Sequence, residues 1–501
     1  MMSFFADRKR LAAFNKPSQF DANIIVIGAG SAGLVSSLIA ATVNAKAILI
    51  ERHKMGGDCL NTGCVPSKAI LRSAKIKHYI ERAEDYGLSA PEQVKADFPA
   101  VMQRVQNVIK AIEPHDSVER YEGLGVQCES GEATIVSPWE VDVSQPDGET
   151  RRFSAKNIII ASGARPFVPP IPGLDQINYL TSDTVWGLDA LPRTLAVMGA
   201  GPIGCELAQA FARLGSKVTL VDMAPRVLPR EDEDAANAVL ASLQADGIEV
   251  LVDSKANAVE QRDGDSVLLL ESGGETRELE FEHLLVAVGR KANTDNMGLE
   301  DLGVELNRNG TLVVNDYLQT TLPTVYACGD VAGPYQFTHT ASHEAWFASV
   351  NCLFGPFKRF KADYSVIPWA TFTDPQVARV GLNEQDASEK NIAVEVTHYG
   401  IDDLDRAIAD SEAHGFVKVL TAPGSDKILG VTIVGYHASE LIAEYVLAIK
   451  HGLGLKKLMG TIHIYPTLNE ANKFAASEWR KKHKPEGLLN LVSKYHTWRR
   501  S

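Results

Sequence analysis

Two segments of the chain repeat one glycine-rich pattern, and this repeat limits the folds that the chain can adopt. The first reads GAGSAG from Gly28, and the second reads GAGPIG from Gly199. Each follows a short apolar run, precedes a helix-compatible segment, and has an acidic residue twenty-three positions after its first glycine. A strand, a tight turn and a helix in that order form the dinucleotide-binding unit of parallel α/β sheets. The sequence therefore predicts two such units, each with its own nucleotide.

Each unit offers the same set of groups to a nucleotide. The glycines permit a tight turn and the approach of a pyrophosphate to the helix N-terminus, and the acid accepts hydrogen bonds from a ribose. The candidate residues are Gly28, Gly30, Gly33 and Glu51 in the first unit and Gly199, Gly201, Gly204 and Asp222 in the second. Asp222 favours the free ribose hydroxyl of NADH over a 2′-phosphate. Arg226 and Arg230, a few residues later, leave NADPH as the alternative.

A segment shortly after the first unit, Gly56–Lys68 (GGDCLNTGCVPSK), contains two cysteines five positions apart. On an ideal helix, Cα atoms with this spacing lie roughly 8 to 9 Å apart, beyond the ~7 Å limit for a disulfide. Cys59 and Cys64 can therefore bridge only if the helix is distorted, which Asn61 and Gly63 make easy. For the pair taken alone, two buried cysteines that never meet are an equal alternative.

Composition and charge exclude several classes of protein. At 501 residues the chain is too long for one core, and its net charge of −13 argues against nucleic-acid binding. Six cysteines are too few for a disulfide scaffold, so we expect a cytoplasmic protein in which any disulfide is catalytic. The first twenty residues lack the apolar segment of a secretory signal. The uncharged stretch 22–45 is broken by glycines, which predicts strand, turn and helix and no membrane span.

The rest of the chain divides by pattern. Residues 69–120 are predicted to be helical, and strands are predicted at 126–143 and 153–160 with a hairpin signal at 146–148. In the second unit, strands are predicted at 194–198 and 217–221. The basic C-terminal segment is interpreted as a solvated tail, with a patch for an anionic partner as the alternative.

The first glycine pattern, the C-x4-C pair, the second glycine pattern, Gly329-Asp330 and a C-terminal domain follow one another in an order that resembles the class I flavoprotein disulfide reductases. The resemblance extends from about residue 23 to 476. It implies an α/β protein with two Rossmann-like dinucleotide-binding domains, an α+β dimerisation domain and a twofold homodimer, with FAD in the first unit and NAD in the second. The implied segments are an N-terminal extension (1–20), a first part of the FAD-binding domain (21–170), an NAD(P)-binding domain (171–290), a second part of the FAD-binding domain (291–362), a dimerisation domain (363–480) and a basic tail (481–501).

The resemblance also implies roles for individual residues. Cys64 would be the thiolate that contacts the flavin, and Cys59 the thiol that exchanges with the substrate. Lys68 would lie near the flavin N5 with Glu206 as its counter-charge, and Asp330 would hold the ribityl chain. The remaining cysteines are expected to be small core residues: Cys128, Cys205, Cys328 and Cys352.

One position departs from the dithiol-handling members of this family. Those members carry His-Pro-Thr and a later glutamate, which supply a general base from the partner subunit. Here Tyr465 occupies the histidine position, before Pro466 and Thr467, with Glu470 as the glutamate. A phenol with a pKa of about 10 is a poor base at neutral pH. His463 would replace it only with a shifted backbone.

These residues lead to a hypothesis of function with two alternatives. We expect an FAD-dependent NAD(P)H oxidoreductase that passes electrons through a redox-active disulfide to a small acceptor such as a metal ion, a quinone or an unusual disulfide. Mercuric reductases also have a tyrosine at this place, but they usually end in adjacent cysteines, whereas the last cysteine here is Cys352. The alternatives are a dihydrolipoamide dehydrogenase and, from another class, a redox-sensing flavoprotein subunit.

Overall fold

The computed structural model describes residues 11–89, 91, 94–262 and 265–501. The first half of the predicted N-terminal extension, residues 1–10, lies outside these residues. Within the described part of the chain, no helix has both the length and the apolar character needed to cross a membrane. The stretch 22–45 is a strand, a turn and a helix, as predicted.

The described residues build five β-sheets, which are covered by helices. The strands are β1 Ala22–Ile27, β2 Ala47–Glu51, β3 Gln127–Ser130, β4 Glu132–Ser137, β5 Glu140–Ser144, β6 Thr150–Ile160, β7 Ala164–Pro166, β8 Leu180–Thr181, β9 Thr194–Met198, β10 Lys217–Val221, β11 Glu249–Leu251, β12 Ser254–Arg262, β13 Asp265–Ser272, β14 Glu275–Phe281, β15 His283–Val286, β16 Arg290–Ala292, β17 Val325–Ala327, β18 Pro368–Thr371, β19 Gln376–Gly381, β20 Glu395–Gly400, β21 Phe416–Thr421 and β22 Ile428–Gly435. The helices are α1 Ser31–Thr42, α2 Gly57–Asn61, α3 Cys64–Glu81, α4 Phe98–Ile112, α5 Val118–Gly123, α6 Pro202–Leu214, α7 Glu233–Ala245, α8 Thr338–Phe354, α9 Glu384–Glu389, α10 Asp405–Ala409, α11 Ala438–Lys450, α12 Leu455–Met459, α13 Glu470–Lys482 and α14 Glu486–Arg500.

The first sheet combines parallel and antiparallel strands around β6. Its parallel part has the order β3-β2-β1-β6-β17, and β4 and β5 extend it as an antiparallel hairpin. The long strand β6 serves both parts, because its first half pairs with β5 and its last three residues, Ile158–Ile160, pair with both β1 and β17. Alternate residues of β1 pack into two hydrophobic clusters on opposite faces, as expected of a parallel sheet buried on both sides.

The second sheet is parallel throughout, in the order β11-β10-β9-β15-β8. Helix α6 packs on one face, and the antiparallel sheet β12-β13-β14 packs on the other. A third large sheet, β18-β19-β22-β21-β20, is antiparallel and carries α11 and α13 on its apolar face. Strands β7 and β16 form a separate two-stranded ribbon between the first two sheets.

The fold class predicted from the sequence is confirmed, with two α/β units and an α+β C-terminal unit. Strands β9 and β10 coincide with the predicted residues 194–198 and 217–221, and the hairpin signal at 146–148 lies between β5 and β6. The predicted helical stretch 69–120 contains most of α3, all of α4 and the start of α5. The segment boundaries drawn from the sequence stay a prediction.

Candidate functional site

The first glycine turn connects β1 to α1 and leaves no room for side chains at two of its glycines. Gly28 has φ +101°, and a Cβ there would lie 2.5 Å from the carbonyl oxygen of Ala161. A Cβ on Gly33 would lie 1.7 Å from the carbonyl oxygen of Gly28. At Gly30, by contrast, the nearest atom to an added Cβ is the Cα of Gly57, 3.8 Å away. The turn therefore brings the start of the cysteine segment directly against the nucleotide unit.

Glu51 closes this turn from the end of β2. Its Oε2 accepts a hydrogen bond from the Ala29 amide at 2.7 Å, and its Oε1 accepts one from the His53 amide at 2.8 Å. A carboxylate held in this way keeps free lone pairs for ribose hydroxyls. The glycine turn, the N-terminus of α1 and this acid fit the pyrophosphate and ribose of an adenine dinucleotide.

The second glycine turn, between β9 and α6, repeats this geometry. Gly199 has φ +111° and would meet the carbonyl oxygen of Ala287 at 2.4 Å, and a Cβ on Gly204 would lie 1.7 Å from the Gly199 carbonyl oxygen. Gly201 faces open space. Asp222 accepts hydrogen bonds from the Ala200 amide at 2.5 Å and, through its other oxygen, from the Ala224 amide at 2.7 Å.

Arg226 is engaged elsewhere in the structure. Its guanidinium donates to the carbonyl oxygens of Pro229 and Glu231 at 3.4 and 3.2 Å and to the Gln385 side chain at 2.7 Å. The group is therefore held by neighbouring loops, and of the two arginines raised by the sequence, Arg230 is the exposed one.

We expect NADH to exceed NADPH in kcat/KM by at least about tenfold, which corresponds to about 1.4 kcal/mol. The reason is that the Asp222 carboxylate accepts hydrogen bonds from a ribose diol and repels a phosphate. Steady-state rates with both nucleotides measure the ratio. Asp222→Asn should reduce it, and Arg230→Ala serves as control, with the NADPH rate unchanged. A wild-type preference for NADPH would contradict the assignment.

The helix that carries the two cysteines is interrupted between them. Helix α2 ends at Asn61, α3 begins at Cys64, and the two residues between them leave helical geometry. The amides of both, Thr62 and Gly63, donate to the carbonyl oxygen of Asp58 at 2.8 and 2.6 Å. The distortion that a bridge between the cysteines requires is therefore present.

Side chains fix this interruption in place. The Asn61 amide donates to the carbonyl oxygens of Met55 at 2.9 Å and Gly57 at 2.8 Å. The indole of Trp186 donates to the Thr62 carbonyl oxygen at 2.7 Å. Trp186 lies in the segment before β9, so the second nucleotide unit contributes to the shape of the cysteine segment. No local pattern predicts this contact, because the two residues are 124 positions apart.

Cys59 and Cys64 are both thiols in the structure, and they interact with each other. A hydrogen bond from the Cys59 thiol lowers the pKa of Cys64 to about 6, against an opposing effect of burial, with further help from Thr338 and the positive charge of Lys68. The Thr338 hydroxyl lies 3.3 Å from the Cys64 sulfur, in the first turn of α8. The same thiol–thiol hydrogen bond, with burial, raises the pKa of Cys59 far above its ordinary value. The pair thus consists of a stabilised thiolate at Cys64 and a protonated thiol at Cys59.

Reduced holoenzyme is expected to show a long-wavelength absorbance of the Cys64 thiolate against flavin that rises with pH with a midpoint near 6. Below this pH the thiolate is protonated and the absorbance is lost, because the lowered pKa favours the charged form only above it. Anaerobic titration followed by spectroscopy measures the midpoint. Cys59→Ala removes the thiol donor, so its midpoint should move to higher pH. An unchanged midpoint would exclude the thiol–thiol hydrogen bond as its cause.

Lys68 and Glu206 form an ion pair one turn beyond Cys64. The Lys68 ammonium lies 2.8 Å from Glu206 Oε2 and 4.3 Å from the centre of the Phe372 ring. The other Glu206 oxygen accepts from the Phe372 amide at 2.9 Å. Glu206 is buried while the Lys68 side chain is 38% exposed, so the ammonium lies at the protein surface above its buried counter-charge.

Arg290 connects the cysteine segment to Asp330. Its guanidinium pairs with Asp58, the residue before Cys59, and lies 3.5 Å from Asp330. It also donates to the Ala164 carbonyl oxygen at 2.8 Å. Burial raises the pKa of Asp330 to about 6, and Arg290 opposes this effect. The sequence showed Arg290 after a strand but gave no sign of its two partners, which lie 232 and 40 residues away.

A second buried carboxyl lies behind Asp330. Glu344, on α8, accepts from the Gly329 amide at 2.6 Å and from the Tyr364 hydroxyl at 2.8 Å. Burial raises the pKa of Glu344 to about 7. It fixes the loop that presents Asp330 at the carboxyl end of β17, in the crevice where open α/β sheets bind their ligands.

The residues predicted from the C-terminal motif lie apart from the cysteines within this chain. The Tyr465 hydroxyl donates to Asp405 at 2.8 Å, and Glu470 accepts from the Thr467 amide at 3.3 Å. His463 is buried against Glu444, with 2.9 Å between Nε2 and Oε1. Tyr465 is 67% exposed and is flanked by two of the most exposed apolar side chains of the described residues, Ile462 and Ile464.

The other cysteines follow the prediction with one exception. Cys205, Cys328 and Cys352 are buried, as expected of core residues. Cys128 is only half buried, because β3 is the edge strand of the first sheet and covers one side only. It still packs against the cluster on that face.

Two family models match the chain. Residues 22–345 match the pyridine nucleotide-disulphide oxidoreductases, and residues 367–476 match the dimerisation domain of the same proteins. The chain is 34% identical over 477 residues to a mercuric reductase of Bacillus cereus, covering 95% of this chain and 74% of that protein. It is 35% identical over 453 residues to a dihydrolipoyl dehydrogenase of Chlamydia muridarum, covering 89% and 94%.

Solved structures with a similar fold have names from the same group. LpdA of Mycobacterium tuberculosis superposes with a TM-score of 0.83 at 27% identity, over 91% of this chain and 99% of that one. The Cu(II) complex of the HOCl-induced flavoprotein disulfide reductase RclA of Escherichia coli superposes with a TM-score of 0.81 at 26% identity, over 93% and 99%.

Proposed function

Since the chain belongs to the pyridine nucleotide-disulphide oxidoreductase family, we propose that it passes electrons from NADH through Cys59 and Cys64 to a small acceptor that needs no strong base. Members of this family use FAD and NAD(P)H. The acceptor that we place first is a thiophilic metal ion, followed by a quinone or an unusual disulfide. Cys59, Cys64, Lys68, Glu206, Tyr465 and Glu470 are the proposed catalytic and positioning residues.

The proposed chemistry has a simple balance. When bound, FAD would supply hydride chemistry, accepting two electrons and a proton from the nicotinamide and making them available to a disulfide. With one proton, these electrons convert the Cys59–Cys64 disulfide into the Cys64 thiolate and the Cys59 thiol, and their transfer to the acceptor re-forms the S–S bond and releases that proton. The thiol–thiol hydrogen bond supports this division of roles, since it favours the negative charge on Cys64 and the exchangeable proton on Cys59. Glu206 balances the ammonium of Lys68 beside the redox centre.

The observation that carries this proposal is the hydrogen bond of the Tyr465 hydroxyl, which makes this side chain a poor base. Its hydrogen bond to the Asp405 carboxylate, together with the charge of that group, raises the pKa of the phenol above its ordinary value. A phenol held in this way withdraws no proton from a dithiol at neutral pH. His463 offers no free ring nitrogen in its place, because Nε2 contacts Glu444 at 2.9 Å and Nδ1 contacts the carbonyl oxygen of Thr461 at 3.1 Å. An acceptor that takes electrons from thiolates without base catalysis suits this site best.

Names of the relatives support a metal ion as the first candidate. Mercuric reductases and a Cu(II) complex of a disulfide reductase occur among the proteins that resemble this chain. Thiolates are soft ligands that prefer ions of this kind. Dihydrolipoyl dehydrogenases occur at the same level of identity, which keeps dihydrolipoamide dehydrogenase as the alternative function.

Holoenzyme assayed with NADH should reduce mercuric or cupric ions or a quinone at least about tenfold faster than lipoamide. Tyr465→His restores an imidazole at the base position, and it should raise lipoamide activity by about tenfold or more. Tyr465→Phe is the matched control, since it removes the hydroxyl but adds no base, and it should leave lipoamide activity low. Wild-type turnover of dihydrolipoamide with NAD at a rate equal to that of the best acceptor would sink the proposal. Bound FAD without NADH oxidation by any acceptor would favour a redox-sensing subunit.

We extend the proposal to the assembly. The matched dimerisation domain indicates a homodimer. We propose that the exposed segment around Tyr465 and Glu470 approaches the cysteines of the partner subunit, that residues 21–170 and 291–362 bind FAD, and that residues 171–290 bind the nicotinamide nucleotide. A reducing compartment such as the cytoplasm suits an unprotected thiol pair. A monomer in solution would remove any role for Tyr465 in the site.

A further inference from the structure

The last helix of the chain, α14 (Glu486–Arg500), has no partner within the described residues. All of its side chains are exposed, including Leu491 at 65% and Trp498 at 70%. It follows Pro485 and lies beyond residue 476, where the match with the dimerisation domain ends. A single helix of fifteen residues is marginally stable in water on its own. Burial of its apolar side chains against another surface would therefore stabilise the helix.

The residues of α14 are sorted by face. At 100° per residue, one arc of roughly 120° carries nearly all the large apolar side chains. They are Leu488, Leu491, Val492, Tyr495 and Trp498. The centre of the opposite face is small and polar, with Asn490, Ser493 and Thr497 beside Glu486. Leu489 alone among the large apolar residues lies outside the apolar arc.

One basic residue borders the apolar face, since Lys494 lies about 40° beyond Trp498 at one edge. Arg500 lies about 80° beyond Val492, past His496 and on the polar face. Arg499 lies within the arc in the last turn, where its long side chain can extend past the apolar surface. The charged ends of these side chains can stay at the level of a surface while the apolar residues insert below it. This arrangement suits a surface with an apolar interior and an anionic exterior.

Charge separates this segment from the rest of the protein. Residues 481–501 contain six Lys or Arg residues and one acid, a net charge of +5, whereas the whole chain carries −13. The remaining residues therefore carry −18. Pairing two copies of α14 face to face would bring the basic residues of one helix close to those of the other, which is unfavourable.

We propose that α14 docks the enzyme on the anionic surface of a lipid bilayer, lying in the plane of the surface with its apolar face between the headgroups. Lys481, Lys482 and Lys484, just before Pro485, add positive charge between the helix and the enzyme body. The body, being acidic, is repelled by the same surface and stays above it. This inference goes beyond the proposed electron transfer and does not depend on the identity of the acceptor.

The test is co-sedimentation of the full-length holoenzyme with vesicles. Wild type should bind vesicles of phosphatidylcholine with about 30% phosphatidylglycerol at least about tenfold more than vesicles of phosphatidylcholine alone, with binding weakened by salt. Leu491→Glu and Thr497→Glu introduce the same charge on opposite faces. Leu491→Glu should lower the bound fraction about fiftyfold, because it removes an apolar contact and adds a negative charge, whereas Thr497→Glu only adds the charge and should lower it about fivefold. Retained FAD shows that each variant is folded.

Three results would overturn the proposal. If the wild-type protein does not co-sediment with anionic vesicles, α14 does not dock on lipid. Equal binding of Leu491→Glu and Thr497→Glu would mean that charge alone acts and that the apolar face is not inserted. Dissociation of the homodimer on truncation after His483, without vesicle binding by the full chain, would assign the helix to a second copy of this protein.

Discussion

Cys59→Ser and Cys64→Ser are each expected to lower NADH-dependent reduction of the acceptor by at least about 10³-fold. Either substitution leaves one sulfur, which cannot form the disulfide that stores two electrons between donor and acceptor. The loss should appear in kcat, since the nucleotide units are not altered. Rapid-mixing experiments with NADH should still show reduction of bound flavin, which separates this step from transfer to the acceptor.

Cys128→Ser provides the matched control for these two variants. Cys128 lies half buried on the edge strand β3, away from the interrupted helix, and its replacement should keep more than about half of the activity. If Cys59→Ser retained full quinone reduction, electrons would pass from the flavin to the quinone without the thiol pair. The redox role of Cys59 and Cys64 would then have to be given up for that acceptor.

Gly33→Ala is expected to produce protein without FAD. The added Cβ would lie 1.7 Å from the Gly28 carbonyl oxygen, so α1 can no longer approach the turn after β1. Backbone lies on both sides of this contact, which leaves no flexible side chain to give way. The displaced helix moves the turn amides away from the positions that suit the pyrophosphate. FAD affinity should therefore fall by at least about a hundredfold, a loss of about 2.7 kcal/mol.

Gly123→Ala is the control for Gly33→Ala, because it adds the same methyl group in a helix where no atom beyond its chain neighbours and the helix's own backbone lies within 4 Å. It should retain FAD and melt close to the wild type. The absorbance ratio of flavin to protein after gel filtration measures both variants. A yellow Gly33→Ala protein with a normal ratio would show that the turn does not bind the dinucleotide.

The nucleotide units were accessible from the sequence because their physical constraints are local. A turn that requires φ near +100° before a helix must contain glycine, and an acid follows the next strand. This pattern can be recognised in the sequence at Gly28 and Gly199. Glu51 and Asp222 accept from turn amides in the same way, so one rule serves both units. The sequence named a distortion near Gly63 only as the condition for a bridge between the two cysteines, since helical spacing alone keeps them apart, and the structure has that interruption.

What the sequence did not reveal depends on contacts between distant segments. Asp58, Arg290 and Asp330 come together only after two sheets have packed, and nothing near any one of them indicates the other two. The same holds for Trp186, whose indole reaches Thr62 across 124 residues. Contacts of this kind depend on how distant segments pack, and the local sequence pattern around each residue does not predict them.

The strand β6 has a consequence for how the nascent chain matures. Its last residues, Ile158–Ile160, stay without a neighbour on one side until β17 is synthesised, about 165 residues later. An apolar strand edge left open for that interval is a template for wrong pairing with other chains. Release of a chain truncated before Val325 would therefore yield an aggregation-prone fragment, although the whole of its first glycine turn is present. Completion of the first sheet, and of the crevice with Asp330, awaits translation of the entire second unit.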